Sequence, residues 1–171
     1  MPSKREPNLR DYRFSVSVVM ERRQIRHRGW SVPQWEAVGV VAGESVGEGS
    51  EPVVVHVGAD REQQLWPGFV LDLARGNAES YWYNLVGSKP SLYIICQVDD
   101  GGALAPVRVT ADYDEAGAHV EADDEVFAVS IPPEIYQRLE RYVVENYKPA
   151  PPKKRKRKDW AKEILGDKPP E

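Results

Sequence analysis

Arginine and tryptophan are crowded into one short stretch near the beginning of the chain. The cationic and aromatic side chains of this stretch are Arg22, Arg23, Arg26, His27, Arg28, Trp30 and Trp35. Exposed aromatic residues beside arginine are typical of the positions that dominate binding energy at protein interfaces. The stretch therefore predicts a partner-binding surface, with the candidate contacts Arg22, Arg23, Arg28, Trp30 and Trp35.

A second candidate contact lies near the end of the chain, after a proline-rich linker. Six contiguous cations are followed by a tryptophan and an isoleucine: Lys153, Lys154, Arg155, Lys156, Arg157, Lys158, Trp160 and Ile164. Such a run binds phosphate backbones without sequence selectivity, whereas a short helix beginning at Asp159 would place Trp160 and Ile164 on one face as a docking peptide. A solvated tail, a nucleic-acid contact and a docking peptide all remain open.

Residues arranged for catalysis or for metal binding are not recognisable in the sequence. His27, His56 and His119 are scattered, and no Cys or His pair has the spacing of metal ligands. The sequence contains no glycine-rich phosphate loop, no Gly-x-Ser-x-Gly elbow and no His-Glu-x-x-His motif. We therefore expect a protein that is not an enzyme and that needs neither a metal nor another cofactor.

The distribution of charge is uneven along the 171 residues. Residues 148–171 contain nine Lys or Arg and four acids, so they carry +5, and the rest of the chain carries −9. An acidic body with a basic tail can fold back on itself or offer two surfaces of opposite sign. The acidic body counts against a protein built mainly to bind nucleic acid.

The cysteine count and the apolar runs bear on the compartment. Cys96 is the only cysteine, so no intramolecular disulfide can form, and the apolar runs are shorter than the roughly 20 residues of a membrane helix. The N-terminus has charges without an apolar stretch after them, unlike a secretion signal. These features predict a cytoplasmic protein without a membrane span.

Two alternating runs flank the basic stretch. In 14–20, the residues Phe14, Val16, Val18 and Met20 fall on one face, and 35–41 repeats such an alternation, so each run predicts a half-buried strand. We expect the basic stretch between them to be a loop. Gly39 and the Pro67-Gly68 pair are candidate bulge positions.

The later elements follow from composition and turn signals. Strands are predicted at 53–57, 69–73, 80–86, 91–98, 106–113 and 126–131, and 80–86 with 91–98 is expected to form a central hairpin. A short helix is predicted at 114–125. A terminal helix is predicted after Pro132-Pro133, with a stripe of Ile135, Leu139, Tyr142 and Val143.

Together these elements predict a mainly β fold, in which a curled or barrel-like antiparallel sheet is capped by a C-terminal helix. A disordered lead-in at 1–12 would precede a single β-rich domain at 13–147. A disordered basic tail with a short docking helix would follow at 148–171.

Several of these segments also resemble a known family. FSVSVVMERR at 14–23, the Trp30 loop, WEAVGVV at 35–41, SLYIICQV at 91–98 and VSIPPEI at 129–135 look like the bacterial domain-of-unknown-function family 3305. That family has no assigned activity. The resemblance implies a cytoplasmic accessory role, because members of the family tend to accompany formate dehydrogenase and its maturation proteins.

These observations lead to one functional hypothesis and two alternatives. The first is a non-catalytic cytoplasmic adaptor that assists assembly or maturation of a molybdenum- and iron–sulfur-containing oxidoreductase such as formate dehydrogenase, with that enzyme or a maturation factor as its protein partner. The first alternative is a nucleic-acid-binding protein that uses the basic tail. The second is small-molecule binding inside a barrel, which requires a cavity.

Overall fold

The computed structural model describes residues 12–43, 51–149 and 151. In chain order, the elements are β1 (Arg13–His27), β2 (Trp30–Ala42), β3 (Val53–Val57), β4 (Arg61–Asp72), α1 (Ala78–Val86), β5 (Ser91–Val98), β6 (Leu104–Thr110), α2 (Tyr113–Glu121), β7 (Glu125–Ser130) and α3 (Pro133–Asn146). A short 3₁₀ turn, Arg75–Asn77, precedes α1. Residues 1–11, 44–50, 150 and 152–171 lie outside the described part, so the expectations for a disordered lead-in and tail and for a docking helix fall almost entirely there.

The strands form two antiparallel sheets. The first has the order β2-β1-β4-β3, and the second has the order β6-β5-β7. The mainly β prediction is confirmed, and so are the terminal helix and the central place of β5. Within the described residues the two sheets stay separate and do not close into a barrel.

The core lies between the inner faces of the sheets and the helices. The predicted alternation of β1 is confirmed, because Phe14, Val16, Val18 and Met20 are all buried. They belong to one apolar cluster with the β5 residues Leu92, Ile94 and Cys96 and with the α3 stripe Ile135, Leu139, Tyr142 and Val143. Both patterns were predictable because burial on one face repeats every second residue in a strand and every three or four in a helix.

Several local predictions are also confirmed. Pro133 opens α3, where its fixed φ suits a helix and its missing N–H is not needed. The pairing of β1 with β4 shifts register opposite Pro67 and Gly68, and Gly68 has a φ of +90°, as expected for a bulge. The register of β1 with β2 shifts next to Gly39. A helix, α2, occupies most of the predicted 114–125 segment.

The predicted strand at 80–86 is wrong, since these residues lie in helix α1. Helical spacing turns Tyr81 and Asn84 inward, and both find partners there. The Asn84 amide donates to the carbonyl oxygens of Ser91 and Ala111 at 2.7 and 3.1 Å, and it accepts from the Ser91 N–H at 3.1 Å. These tertiary contacts override the β propensity of the aromatic residues, and β5 pairs with β6 and β7 instead of with this segment.

The predicted basic loop is also wrong, because β1 and β2 continue through it until only Arg28 and Gly29 remain as a turn. His27 pairs with Trp30, so the connection has two residues. Both turn residues have positive φ, 50° and 83°, as a type I′ hairpin turn requires. Sequence periodicity did not show these strand ends because both of their faces are exposed.

Candidate functional site

The outer half of the β1–β2 hairpin extends away from the body of the protein. We call the segment from Glu21 to Glu36 the arm. Its residues 23–34 are all exposed, although they keep the cross-strand pairing of the hairpin. A hairpin that continues as paired strands after its core contacts have ended is an element available for binding.

One face of the arm carries apolar side chains at its far end. We call Ile25, His27, Trp30 and Val32 the apolar tip. Ile25 pairs with Val32 and His27 pairs with Trp30, so the alternation of a strand places all four on one face. The exposed fraction is 43% for Ile25, 53% for Val32 and 78% for Trp30. These three large hydrophobic residues therefore form one exposed apolar patch.

A charged cluster lies at the base of the arm on the same face. We call Glu21, Arg23, Arg61 and Gln63 the Glu21 cluster. Glu21 Oε2 accepts a hydrogen bond from Arg23 Nε at 2.8 Å, and Glu21 Oε1 accepts one from Gln63 Nε2 at 3.1 Å. Arg61 Nε also lies 3.1 Å from Oε1. These neighbours leave the Glu21 side chain 2% exposed. A charged strand residue on the outer face is thus buried and has three polar partners.

Glu21 stays charged despite this burial. Burial raises the pKa of its carboxyl, but the hydrogen bonds from Gln63 and Arg23 and the positive charges of Arg23 and Arg61 outweigh that effect, and the net pKa is lowered. The carboxylate therefore holds both guanidinium groups in place at neutral pH.

At the base of the arm, side chains on the opposite face contact the rest of the protein. Arg22 Nη2 donates to Glu62 at 2.9 Å, and its guanidinium lies 5.8 Å from the centre of the Trp35 ring. Trp35 is half-buried and packs against the apolar core. These two predicted contact residues thus support the base of the arm.

The other predicted contacts either are exposed on the arm or lie outside the described residues. Arg23, Arg28 and Trp30 are exposed on the arm, as a binding surface requires. Among the described residues, neither Arg26 nor Arg28 has an ion pair or a side-chain hydrogen bond. The predicted tail contacts lie outside the described residues; they are Lys153, Lys154, Arg155, Lys156, Arg157, Lys158, Trp160 and Ile164.

Sequence reasoning missed Ile25, Val32, Glu21 and Arg61 as members of this surface. Ile25 and Val32 gave no periodic signal, because both faces of these strand ends are exposed. Arg61 gave no signal, because it reaches the arm only through the pairing of β1 with β4, in which Arg23 and Arg61 are directly opposite.

Other groups that can carry chemistry are dispersed. Within the described ranges, no three His, Cys, Asp or Glu residues are grouped so as to hold a metal ion. Burial and the Glu125 charge raise the pKa of the Cys96 thiol to about 12. The His119 ring lies 2.8 Å from Asp124, which also accepts a hydrogen bond from Gln97 at 3.1 Å, so this pair ties the end of α2 to β5.

A cleft of about 360 Å³ lies beside the start of α3. Its wall includes Arg13, Phe14, Glu134 and Arg138. The Arg138 guanidinium lies 5.0 Å from the centre of the Phe14 ring, and Arg13 pairs with Asp72 at 2.7 Å. No helix in the described part of the chain is long and apolar enough to cross a membrane.

Comparisons with known proteins add one finding. A family model described as a protein of unknown function (DUF3305) matches residues 15–157. No curated protein and no solved structure matches the chain.

Proposed function

The chain belongs to the DUF3305 family of proteins of unknown function, and we propose that it is a non-catalytic accessory protein that docks onto another protein through its arm. We propose further that it acts in the cytoplasm and assists assembly or maturation of a molybdenum- and iron–sulfur-containing oxidoreductase such as formate dehydrogenase. The docking role is supported by the arm. The choice of enzyme is supported by what the family resemblance implies, namely a role beside formate dehydrogenase and its maturation proteins.

The observation that carries the docking role is the apolar tip. Exposed hydrophobic residues are ordinary when they occur singly, but Ile25 and Val32 are cross-strand partners, and Trp30 lies two residues from Val32 on the same face. Trp30 follows the exposed turn residue Arg28, and tryptophan and arginine are among the residues most enriched at binding hot spots. A partner that covered this face would remove the apolar surface from water.

A gene deletion with complementation tests this function. We expect the deletion to lower formate dehydrogenase activity, and the molybdenum and iron content of the purified enzyme, at least tenfold. The wild-type gene should restore both, whereas the Ile25→Ser/Trp30→Ala variant should not. Tyr83→Ala is the matched control, because Tyr83 is an exposed aromatic residue on α1, away from the arm. Unchanged activity and metal content in the deletion strain would reject the oxidoreductase role.

Nucleic-acid binding is the second candidate. It is favoured by Arg26 and Arg28 at the end of the arm, which have no acidic partner among the described residues, and by the cationic run at 153–158. Binding of this kind weakens steeply as the salt concentration rises, because the release of counterions from the phosphates becomes less favourable. A titration of the full chain with a labelled 20-nucleotide single strand at low and physiological salt tests it, and the absence of salt-sensitive binding rejects it.

A further inference from the structure

We infer that Arg23 and Arg61 form a clamp for a carboxylate group of a partner protein, and that Glu21 positions the clamp. This inference rests on the proposed docking role of the arm. It goes further by naming the chemical group that the arm recognises and the residues that recognise it.

The first step is the way in which the two arginines are held. Arg23 and Arg61 are directly opposite each other on β1 and β4, an arrangement in which like charges repel. Each turns its Nε toward the single buried carboxylate of Glu21, at 2.8 and 3.1 Å. Because the carboxylate is fixed by its burial and by Gln63, both guanidinium groups start from a defined position.

The second step concerns the N–H donors of Arg23 and Arg61 that Glu21 does not bind. The Arg23 and Arg61 side chains are 47% and 50% exposed, and among the described residues their terminal nitrogens donate no hydrogen bond. Glu36 lies 3.6 Å from Arg23 Nε and forms a longer ion pair with it, beyond hydrogen-bond distance. Two pairs of N–H donors are thus left to a ligand, and planar guanidinium forks match the two oxygens of a carboxylate.

The third step separates a protein carboxylate from a polyanion. Residues 51–149 contain seventeen Asp or Glu and seven Lys or Arg, so most of the body repels a nucleic acid. A single carboxylate surrounded by apolar residues carries one charge, so this repulsion is much weaker for it than for a polyanion. It also matches the arm face, on which Ile25 follows Arg23 and Val32 pairs with Ile25.

Strand geometry gives the spacing of the ligand. Arg23 and Ile25 are two residues apart on one strand face, which corresponds to about 7 Å. An extended partner segment covers the same distance with two of its own residues. The recognised segment is therefore one in which an Asp or Glu stands two positions from a large apolar residue.

Selection from a random heptapeptide library displayed on phage tests the clamp on the purified full chain. We expect the wild type to enrich peptides with an acid two positions from a large apolar residue. Arg23→Gln/Arg61→Gln should lower the affinity for the best peptide at least tenfold. Arg108→Gln, which removes an exposed and ion-paired arginine of β6, should leave it unchanged.

A second variant keeps the test valid if the glutamine variant does not fold. Arg23→Lys/Arg61→Lys retains the charges that neutralise Glu21 but removes the planar forks, and we expect the same peptide to bind it at least tenfold more weakly. Enrichment of peptides without an acid, equal binding by the lysine variant, or no enrichment by the wild type would overturn the clamp.

The failure of the clamp can be distinguished from failure of the docking role. Peptides that require Trp30 but not Arg23 or Arg61 would reject the clamp and leave the docking arm intact. Tighter binding of a 20-nucleotide single strand than of the best peptide, lost in the glutamine variant, would assign the same arginines to nucleic acid and reject the proposal.

Discussion

Arg23 and Arg61 face each other across two neighbouring strands and share the one carboxylate of Glu21, with Nε atoms 2.8 and 3.1 Å from its oxygens. This shared contact with Glu21 joins the arm to β4 at the point where the apolar core ends, since Met20 is fully buried and Arg23 is exposed. On this face, the base of the arm is therefore held by charge and hydrogen bonds, whereas Trp35 packs against the core on the opposite face.

The first prediction concerns the stability that this cluster provides. Glu21→Gln leaves two arginines opposite each other without their shared anion, and we expect the free energy of unfolding to fall by about 2 kcal/mol. Urea unfolding measures the loss. Asp72→Asn is the control, because its pair with Arg13 is more than half exposed and should contribute less than about 0.5 kcal/mol. Equal losses in the two variants would contradict the assigned role of Glu21.

The second prediction is a pH dependence. The pKa of Glu21 is lower in the folded chain than its ordinary value of 4.5, so between the two values the unfolded chain binds more protons. The stabilisation by Glu21 is complete above pH 4.5 and is lost as the pH falls through the folded-state pKa. The stability difference between wild type and Glu21→Gln should thus stay constant near neutral pH and shrink in acid. A difference that grows in acid would show that burial has raised the pKa instead.

The third prediction separates the two tryptophans of the arm. Trp30 is 78% exposed, so Trp30→Ala should change the free energy of unfolding by less than about 0.5 kcal/mol. Trp35 packs against the core, and Trp35→Ala should cost about 1 to 3 kcal/mol. Denaturant titrations of the two variants check the contrast. A large loss in Trp30→Ala would mean that Trp30 is a structural residue.

The fourth prediction uses two glycines to test the hairpin turn. An added Cβ meets no atom within 4 Å at either Gly29 or Gly117, so packing does not distinguish them. Gly29 has a φ of +83°, and Gly29→Ala should destabilise by about 1 kcal/mol through backbone strain. Gly117 lies inside helix α2, where Gly117→Ala should stabilise by about 0.5 to 1 kcal/mol. The melting temperatures of the two variants should therefore shift in opposite directions. A higher melting temperature for Gly29→Ala would contradict the turn.

The fifth prediction concerns the thiol of Cys96. Its pKa is raised to about 12 by burial and by Glu125, so the reactive thiolate is scarce at pH 8. We expect a thiol reagent such as DTNB to label the native chain only as fast as the core opens, and to label it at once in denaturant. Rapid labelling without denaturant would contradict the burial of Cys96.

The local elements that were predictable are those with one buried face. The alternation from Phe14 to Met20 and the stripe from Ile135 to Val143 both repeat with the period of their backbone, so each is present in the sequence itself. The helix start at Pro133 was predictable for a similarly local reason, because proline suits that position through its own geometry.

Other local predictions failed where distant residues decided the outcome. The segment 80–86 has strand composition, yet it becomes helix α1 because Asn84 finds its partners on Ser91 and Ala111. The arm has two exposed faces, so no period marks it as a strand pair, and only the turn at Arg28-Gly29 and the pairing of His27 with Trp30 bring it together.

The sequence by itself determined the mainly β composition, the inner face of β1, the terminal helix and the charge of each part of the chain. Only the tertiary structure decided that Trp30, Ile25 and Val32 share a face with Arg23, and that Arg61 completes the cluster around Glu21. The physical reason is that strand register is set by pairing between segments far apart in the chain, and a shift of one residue would move every one of these side chains to the other face.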